Sequence, residues 1–172
     1  MKLYRSKIPQ IAAAVVDTLC DEDAIDVAME NRSEAKQDII SIMEEYLRRD
    51  NDLRSRVREG MSDRAIGFEN YGKERSRLAE EWKHPVGEEV GKFLARQIVE
   101  NFMISRFVDE VYLDDGPIWR RVVDILRSFD VNEDDLREEA KGLIKNLREG
   151  TVDYEIAFEK ALRDVKKKKG LI

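Results

Sequence analysis

The chain has only one cysteine, one histidine and three prolines among its 172 residues. The single cysteine, Cys20, excludes an intramolecular disulfide and any zinc or iron–sulfur site that needs several cysteine ligands. It ends an apolar stripe, so we interpret it as a buried and unreactive thiol. The single histidine, His84, excludes paired-histidine zinc sites and the di-metal bundles that need two Glu-x-x-His motifs. We interpret His84 as a helix-end residue beside Pro85.

Longer signatures of catalysis and of membrane insertion are missing as well. No glutamate is followed by a second one three residues later, so the magnesium-binding Glu-x-x-Glu arrangement is absent. The chain has no Gly-x-x-x-x-Gly-Lys phosphate loop. It has no run of about 18 apolar residues, so we expect no membrane span. These absences predict a protein without catalytic residues, without a metal and without a cofactor.

Charged residues make up 40% of the chain and hydrophobic residues 42%. Because the apolar residues recur at helical spacing, we expect a soluble, cytoplasmic helical protein with a densely charged surface. The net charge of −6 is evenly divided, since residues 1–83 carry 15 basic and 18 acidic groups and residues 84–172 carry 16 and 19. Neither half is basic, which argues against nucleic acid as the default partner.

The chain contains a 23-residue pattern twice, at residues 39–61 and 122–144. The two segments align without a gap, and eight apolar positions coincide although only four residues are identical. Upstream, the apolar residues and acidic loop that follow Val15 resemble those that follow Phe107. We interpret the pattern as a duplicated unit of helix, acidic loop, helix, short break and helix.

The predicted fold is all-α, with two related three-helix repeats packed around a long central helix and an extra helix at the C-terminus. The central helix is predicted over residues 87–112, because the sequence is apolar nearly all round between residues 102 and 108. A break at residues 49–52 is predicted to separate the second and third helices of the first repeat. The predicted units are the first repeat (residues 1–62), a glycine- and aromatic-rich connection with a short helix (residues 63–91), and the second repeat with the basic tail (residues 92–172).

Helix starts are marked by prolines and by capping residues. Pro9 and Pro117 are predicted to begin helices, since a missing N–H costs nothing in a first turn. Asn132 is the predicted cap of a helix over residues 133–146, and Asp153 is the predicted cap of the last helix.

Three segments carry a family resemblance: KIPQIAAAVVDTL at residues 7–19, DDLREE at residues 134–139, and TVDYEIAFEKAL at residues 151–162 before a lysine-rich tail. Over most of its length the chain resembles a bacterial family catalogued as a domain of unknown function, number five hundred and seven. The resemblance implies a helical, bacterial and cytoplasmic protein. It supplies no catalytic residues that could be carried over.

Function is therefore expected to depend on exposed aromatic and basic side chains near loops and helix ends. The candidate contact residues are Tyr71, Trp82, Tyr112, Trp119, Arg120, Arg121, Lys166, Lys167, Lys168 and Lys169. We expect a non-enzymatic protein that acts through protein–protein interaction, as an adaptor or scaffold, and self-association stays open. The alternative is an RNA- or ribosome-associated factor whose lysine tail contacts phosphates. A helical enzyme without a recognisable site is the least favoured hypothesis.

Overall fold

The computed structural model describes residues 1–144 and 148–172. In these residues seven α-helices carry nearly all of the regular structure, which confirms the all-α class. The helices are α1 (Ile8–Asp21), α2 (Arg32–Asp63), α3 (Tyr71–Glu81), α4 (Glu89–Phe102), α5 (Asp115–Ser128), α6 (Glu133–Leu143) and α7 (Val152–Lys168). Short 3₁₀ turns lie at Arg5–Lys7, Met29–Asn31 and Phe68–Asn70, and two strands, β1 (Ile25–Asp26) and β2 (Glu110–Val111), pair antiparallel.

The main core lies between α1, the first half of α2, α4 and α5. Helix α1 starts at Ile8 with Pro9 in its first turn, as predicted. Its apolar residues recur every three or four positions, so they form one face that packs on the other helices. The largest fully buried side chains of the main core include Ile8, Ile11, Leu19, Ile39, Met43, Leu94, Ile98, Ile118 and Leu126.

Helix α2 is continuous for 32 residues, so the predicted break at residues 49–52 is wrong. Its buried positions are spaced by three or four residues throughout, at Ile39, Met43, Tyr46, Asp50, Leu53, Val57 and Met61. The charged stretch resembles a loop in sequence, but only Asp50 of that stretch turns inward while its neighbours face solvent. The helical periodicity therefore continues through the polar segment, with an acid at one position of the buried stripe.

Helix α4 ends at Phe102, so the predicted central helix over residues 87–112 is also wrong. The backbone N–H groups of Ile104 and Ser105 both donate to the carbonyl of Asn101, which closes the helix. The Ser105 hydroxyl then donates to Asp38 of α2 at 2.8 Å, so the chain leaves the helical path. Met103 and Ile104 become 50% and 83% exposed instead of buried.

The two copies of the sequence pattern adopt different structures. Residues 39–61 lie within one helix, α2, whereas residues 122–144 span the end of α5, a link and α6. Four of the eight equivalent apolar pairs are nevertheless buried in both copies, for example Leu53 and Leu136. The upstream match also diverges, because Val15 lies in α1 while Phe107 lies in the loop before β2. The described residues therefore share a burial pattern without sharing a three-helix unit.

Helices α6 and α7 form a C-terminal hairpin with a small core of its own. Asn132 caps α6 as predicted, since its side chain accepts from the N–H of Asp134 at 3.0 Å. The predicted end of this helix at residue 146 lies outside the described residues. The cap of α7 is Thr151, which accepts from the N–H of Tyr154, so the predicted cap Asp153 is wrong. The hairpin core contains Leu136, Ala140, Ala161, Val165 and Leu171.

The N-terminal segment, residues 1–7, connects the C-terminal hairpin with the main core. Leu3 is buried in the main core, and Tyr4 is buried against the hairpin, where its hydroxyl donates to Glu133. Ser6 donates to the carbonyl of Gly170 at 3.0 Å. A third cluster joins the second half of α2 to α3 through Leu53, Val57, Met61, Leu78 and Ala79. None of the helices among residues 1–144 and 148–172 combines the length with the apolar content that a bilayer-crossing segment needs.

Candidate functional site

A buried ionic cluster lies in the middle of α2, around Asp50. Its carboxylate accepts from Arg75 Nη2 at 2.8 Å on Oδ1 and pairs with Arg54 Nη2 at 2.7 Å on Oδ2. His84 Nε2 lies 3.4 Å from Oδ1. Asp50 and His84 are the two charged or polar residues that are buried in the described part of the chain. We call Tyr46, Asp50, Arg54, Arg75 and His84 the Asp50 cluster.

Asp50 is ionised because its partners outweigh the effect of burial. Burial alone would raise the pKa of this carboxyl group. The hydrogen bond from Arg75 and the positive charges of Arg54 and Arg75 hold its pKa below the usual 3.8. Both carboxylate oxygens are engaged by guanidinium groups, so Asp50 acts as a fixed negative charge that orients two arginines.

His84 is held in the cluster by stacking and by the turn after α3. Its ring lies 4.9 Å from the Tyr46 ring at an interplanar angle of 13°. The backbone N–H of His84 donates to the carbonyl of Ala79 at 2.8 Å, and the Tyr46 hydroxyl donates to the carbonyl of Pro85 at 3.1 Å. Burial raises the pKa of Tyr46 to about 12, so this hydroxyl stays a donor. The position at a helix end agrees with the sequence analysis, but the near-complete burial of His84 was missed.

Burial lowers the pKa of His84 below 6.5, although the charge of Asp50 favours the protonated ring. The folded protein therefore binds this proton more weakly than the unfolded chain. Its contribution to stability is present above pH 6.5 and is lost as the pH falls toward the lowered folded value. We expect the free energy of unfolding, measured with urea at pH 8, 7, 6 and 5.5, to fall below pH 6.5 in the wild type. The decrease should be smaller in His84→Asn, and equal decreases in both proteins would contradict the assignment.

A cleft of about 570 Å³ opens beside the Asp50 cluster. It lies between the N-terminal segment, the middle of α2, Arg75 of α3 and the start of α4. Its apolar wall is formed by Leu3, Tyr46, Leu47 and Val90, and its basic side chains are Lys2, Arg5, Arg54 and Arg75. None of these residues was predicted to form a site, because they come from distant parts of the chain.

The predicted aromatic contact residues differ in how much surface they offer. Tyr71 and Trp82 are half-buried and pack on the cluster between α2 and α3. Trp119 is half-buried on α5, and its Nε1 donates to the carbonyl of Lys92 at 3.3 Å. Tyr112, directly after β2, is 56% exposed. The structure therefore brings only Tyr71 and Trp82 together, and Tyr112 has the most accessible ring.

The predicted basic contact residues are partly engaged within the molecule. Arg121 forms a two-point ion pair with Glu22, while Arg120 is exposed. Lys166 lies 3.5 Å from Glu133, and Lys169 lies 3.0 Å from Glu139. The remaining two lysines, Lys167 and Lys168, are exposed in the last turn of α7 and at its end.

A second surface is formed by the two segments that the β1–β2 pair joins, residues 23–31 and 103–114, which we call the loop surface. Backbone bonds from Asp109 to Asp26 and from Tyr112 to Ala24 extend the pairing beyond the strands. The N–H of Ala28 also donates to the Asp109 carboxylate at 3.1 Å. The loop surface holds five of the ten large apolar side chains that are exposed in the described residues, namely Met29, Met103, Ile104, Tyr112 and Leu113.

The loop surface is also strongly acidic. It carries six exposed acids and one base, Arg106, which gives a net charge of 1 − 6 = −5. The effect is visible at Tyr112, whose pKa is raised by partial desolvation and by the negative charges of Asp26, Glu110, Asp23 and Asp109. The exposed apolar side chains therefore lie in a negative electrostatic environment.

A family model described as "Protein of unknown function (DUF507)" matches residues 1–171. The chain belongs to this family. The match confirms the resemblance that residues 7–19, 134–139 and 151–162 carry in the sequence. No curated protein matches the chain.

Among the exposed apolar residues of the loop surface in this DUF507 protein, Tyr112 alone was a predicted contact residue. Met103 and Ile104 were assigned to a buried helix, because an apolar run carries no signal for where a helix stops. The available signal was Asn101 followed by Ser105, since short polar side chains often bond to nearby backbone groups at helix ends. The partner of that serine, Asp38, is 67 residues away and is found only in the folded chain.

Proposed function

We propose that this DUF507 protein is a non-enzymatic adaptor that binds a partner protein through the loop surface. The observation that supports it is the concentration of half of the described exposed large apolar side chains on two short paired segments. Methionine and aromatic side chains are enriched in protein interfaces relative to other surfaces, and Met29, Met103 and Tyr112 are of these types. The proposal places the protein in the bacterial cytoplasm, which the family resemblance favours.

The charge of the loop surface indicates the chemistry of the partner. Apolar side chains surrounded by six acids are complementary to an apolar patch rimmed by lysine and arginine. The β1–β2 pair and the bond from Ala28 to Asp109 fix the two segments together before binding. A preorganised surface loses less conformational entropy on association than a mobile one. We therefore expect a basic and apolar partner surface.

The Asp50 cluster supports a structural role over a catalytic one. A general base needs an accessible atom near the proton that it removes. Both oxygens of Asp50 are occupied by guanidinium groups, and the side chain of His84 is 1% exposed. Burial also raises the pKa of the Cys20 thiol, which lowers the fraction of reactive thiolate. The groups with the most perturbed chemistry are therefore poorly placed to meet a substrate.

Site-specific photo-crosslinking in native cells tests the proposal. We expect p-benzoylphenylalanine at position 104 or 112 to give a discrete adduct with another protein, because both positions lie on the loop surface. The matched control is the same substitution at Ile156, which is apolar and 64% exposed on α7. Met103→Glu should reduce the adduct at position 112 at least about fivefold, which corresponds to a loss of about 1 kcal/mol of binding free energy.

Three results would contradict the proposal. The same adducts at position 156 would show that any exposed apolar position is labelled. An adduct between two copies of the chain would indicate that the loop surface serves self-association and not binding of another protein. An adduct that disappears with ribonuclease would favour the RNA-associated alternative. That alternative has less support, because the net charge is −6 and neither half of the chain is basic.

A further inference from the structure

The cleft beside the Asp50 cluster has the volume and the partly apolar lining of a small-molecule site. Its volume of about 570 Å³ falls within the range of about 300–1,000 Å³ that such sites occupy. One side is apolar, with Leu3, Leu47 and Val90, and the ring of Tyr46 contributes to the same wall. This cleft is separate from the loop surface, and none of its lining residues belongs to that surface.

The charge of the cleft is opposite to that of the whole protein. Four basic side chains and one acidic side chain, Asp50, line it, so the lining side chains carry 4 − 1 = +3 while the full chain carries −6. A concave surface lined by one sign of charge raises the local concentration of ions of the other sign. The geometry therefore favours an anion over a neutral or cationic ligand.

Arg54 and Arg75 retain hydrogen-bond donors after pairing with Asp50. Each directs an Nη2 atom at the carboxylate, whereas a guanidinium group carries five N–H donors in a planar fork. Nε of Arg75 is buried without a hydrogen-bond partner in the described residues. Asp50 thus orients two guanidinium groups that keep further N–H donors. Guanidinium groups bind carboxylate and phosphate oxygens through paired hydrogen bonds.

Two further cations, Arg5 and Lys2, also line the cleft. Arg5 is 71% exposed, and its guanidinium lies 3.8 Å from Glu44. Lys2 is 45% exposed and lies 3.2 Å from Glu133. An exposed ion pair such as that of Arg5 and Glu44 contributes little to stability, so Arg5 can exchange this partner for a bound anion at little cost. Lys2 is held more firmly, because its ammonium group also lies 5.3 Å from the centre of the Tyr4 ring.

We infer that the cleft binds a small organic phosphate monoester. Its dianionic phosphate would contact Arg54 and Arg75, with Arg5 and Lys2 at the open side, and its organic part would lie on the apolar wall. A dianion matches the charge of +3 better than a monocarboxylate does. The inference does not depend on the proposed function, because the loop surface has no residue in the cleft.

Calorimetric titration with phenyl phosphate tests the inference. We expect saturable binding, at least fivefold weaker binding of benzoate, and weaker binding of inorganic phosphate, which has no group for the apolar wall. Arg54→Gln should weaken phenyl phosphate binding at least tenfold and Arg5→Gln at least threefold. The control is Arg58→Gln, an exposed arginine on α2 outside the cleft, which should leave the affinity unchanged. Amide shifts of Asn51 and Gly87 in NMR spectra should follow the titration.

Arg5→Gln keeps the test valid if Arg54→Gln fails to fold, because Arg5 is exposed and lies outside the Asp50 cluster. The inference would be overturned by the absence of saturable binding at millimolar phenyl phosphate, or by equal losses in Arg5→Gln and Arg58→Gln. Equal affinities for benzoate and phenyl phosphate would mean that the cleft is a carboxylate site and not a phosphate site. Tighter binding of a single-stranded RNA oligomer, with the same dependence on Arg5, would replace it by a nucleic-acid site.

Discussion

Replacing Asn51 with proline should lower the free energy of unfolding by about 3 kcal/mol or more. Asn51 is exposed in the interior of the continuous helix α2, so its own side chain contributes little to packing. An interior proline removes one helical hydrogen bond, and its ring clashes with the carbonyl four residues earlier. A kink at this point would also separate the main core from the cluster between α2 and α3. Urea unfolding followed by circular dichroism measures the effect.

Asn51→Ala is the matched control for this experiment. Alanine is the better helix former, so we expect a change within about 0.5 kcal/mol, in either direction. If the chain broke at residues 49–52, as its charged sequence suggests, proline would be tolerated with a loss under about 1 kcal/mol. Similar stabilities of the proline and alanine variants would therefore contradict a continuous α2.

The error at residues 49–52 shows what a single sequence leaves open. The spacing from Tyr46 to Asp50 to Leu53 is that of a helix face, so the continuity of α2 could have been found. An unpaired acid on a buried face is strongly disfavoured. Arg54, four residues later, is the partner that lies nearby in sequence, but it engages one of the two carboxylate oxygens and leaves the other to different groups. Those groups, Arg75 and His84, follow 25 and 34 residues after Asp50, in α3 and just after it. Only the packing of α3 on α2 brings them to Asp50.

Local signals were sufficient to predict two helix starts. The first turn at Pro9 and the cap at Asn132 were predicted, because both act on adjacent backbone groups. Local signals did not predict the end of α4, because that end depends on the contact between Ser105 and Asp38 and on the pairing of β1 with β2. Two strands of two residues each carry too little pattern to be found in a sequence.

The same distinction applies to the candidate sites. Tyr112 was identified because an aromatic residue beside an acidic loop is visible locally. The cleft was not, because it assembles the N-terminal segment with residues of α2, α3 and α4. Its charge is visible only after folding, since each half of the sequence has a similar balance of acids and bases.

Asp50→Ala should destabilise the protein by about 3 kcal/mol, the lower end of the range for breaking a buried ion pair. Removal of the carboxylate leaves Arg75, which is 29% exposed, and the buried His84 without the charge that faces them. Arg54 is 43% exposed and can turn toward water, which keeps the loss from being larger. The control is Asp52→Ala on the same helix, because the Asp52 side chain is 50% exposed and pairs with Arg48 at 2.9 Å. We expect a loss of at most about 1 kcal/mol for this surface pair.

A double-mutant cycle separates the role of the ion pair from that of the helix. Arg75→Leu alone should be destabilising, since it removes one partner of Asp50. The double variant Asp50→Ala, Arg75→Leu should lose less than the sum of the two single losses, with a coupling of about 1–2 kcal/mol. Additive losses would mean that Asp50 acts through α2 alone. A loss smaller than the sum would instead mean that the charge inside α2 holds α3 in place, and with it one wall of the cleft.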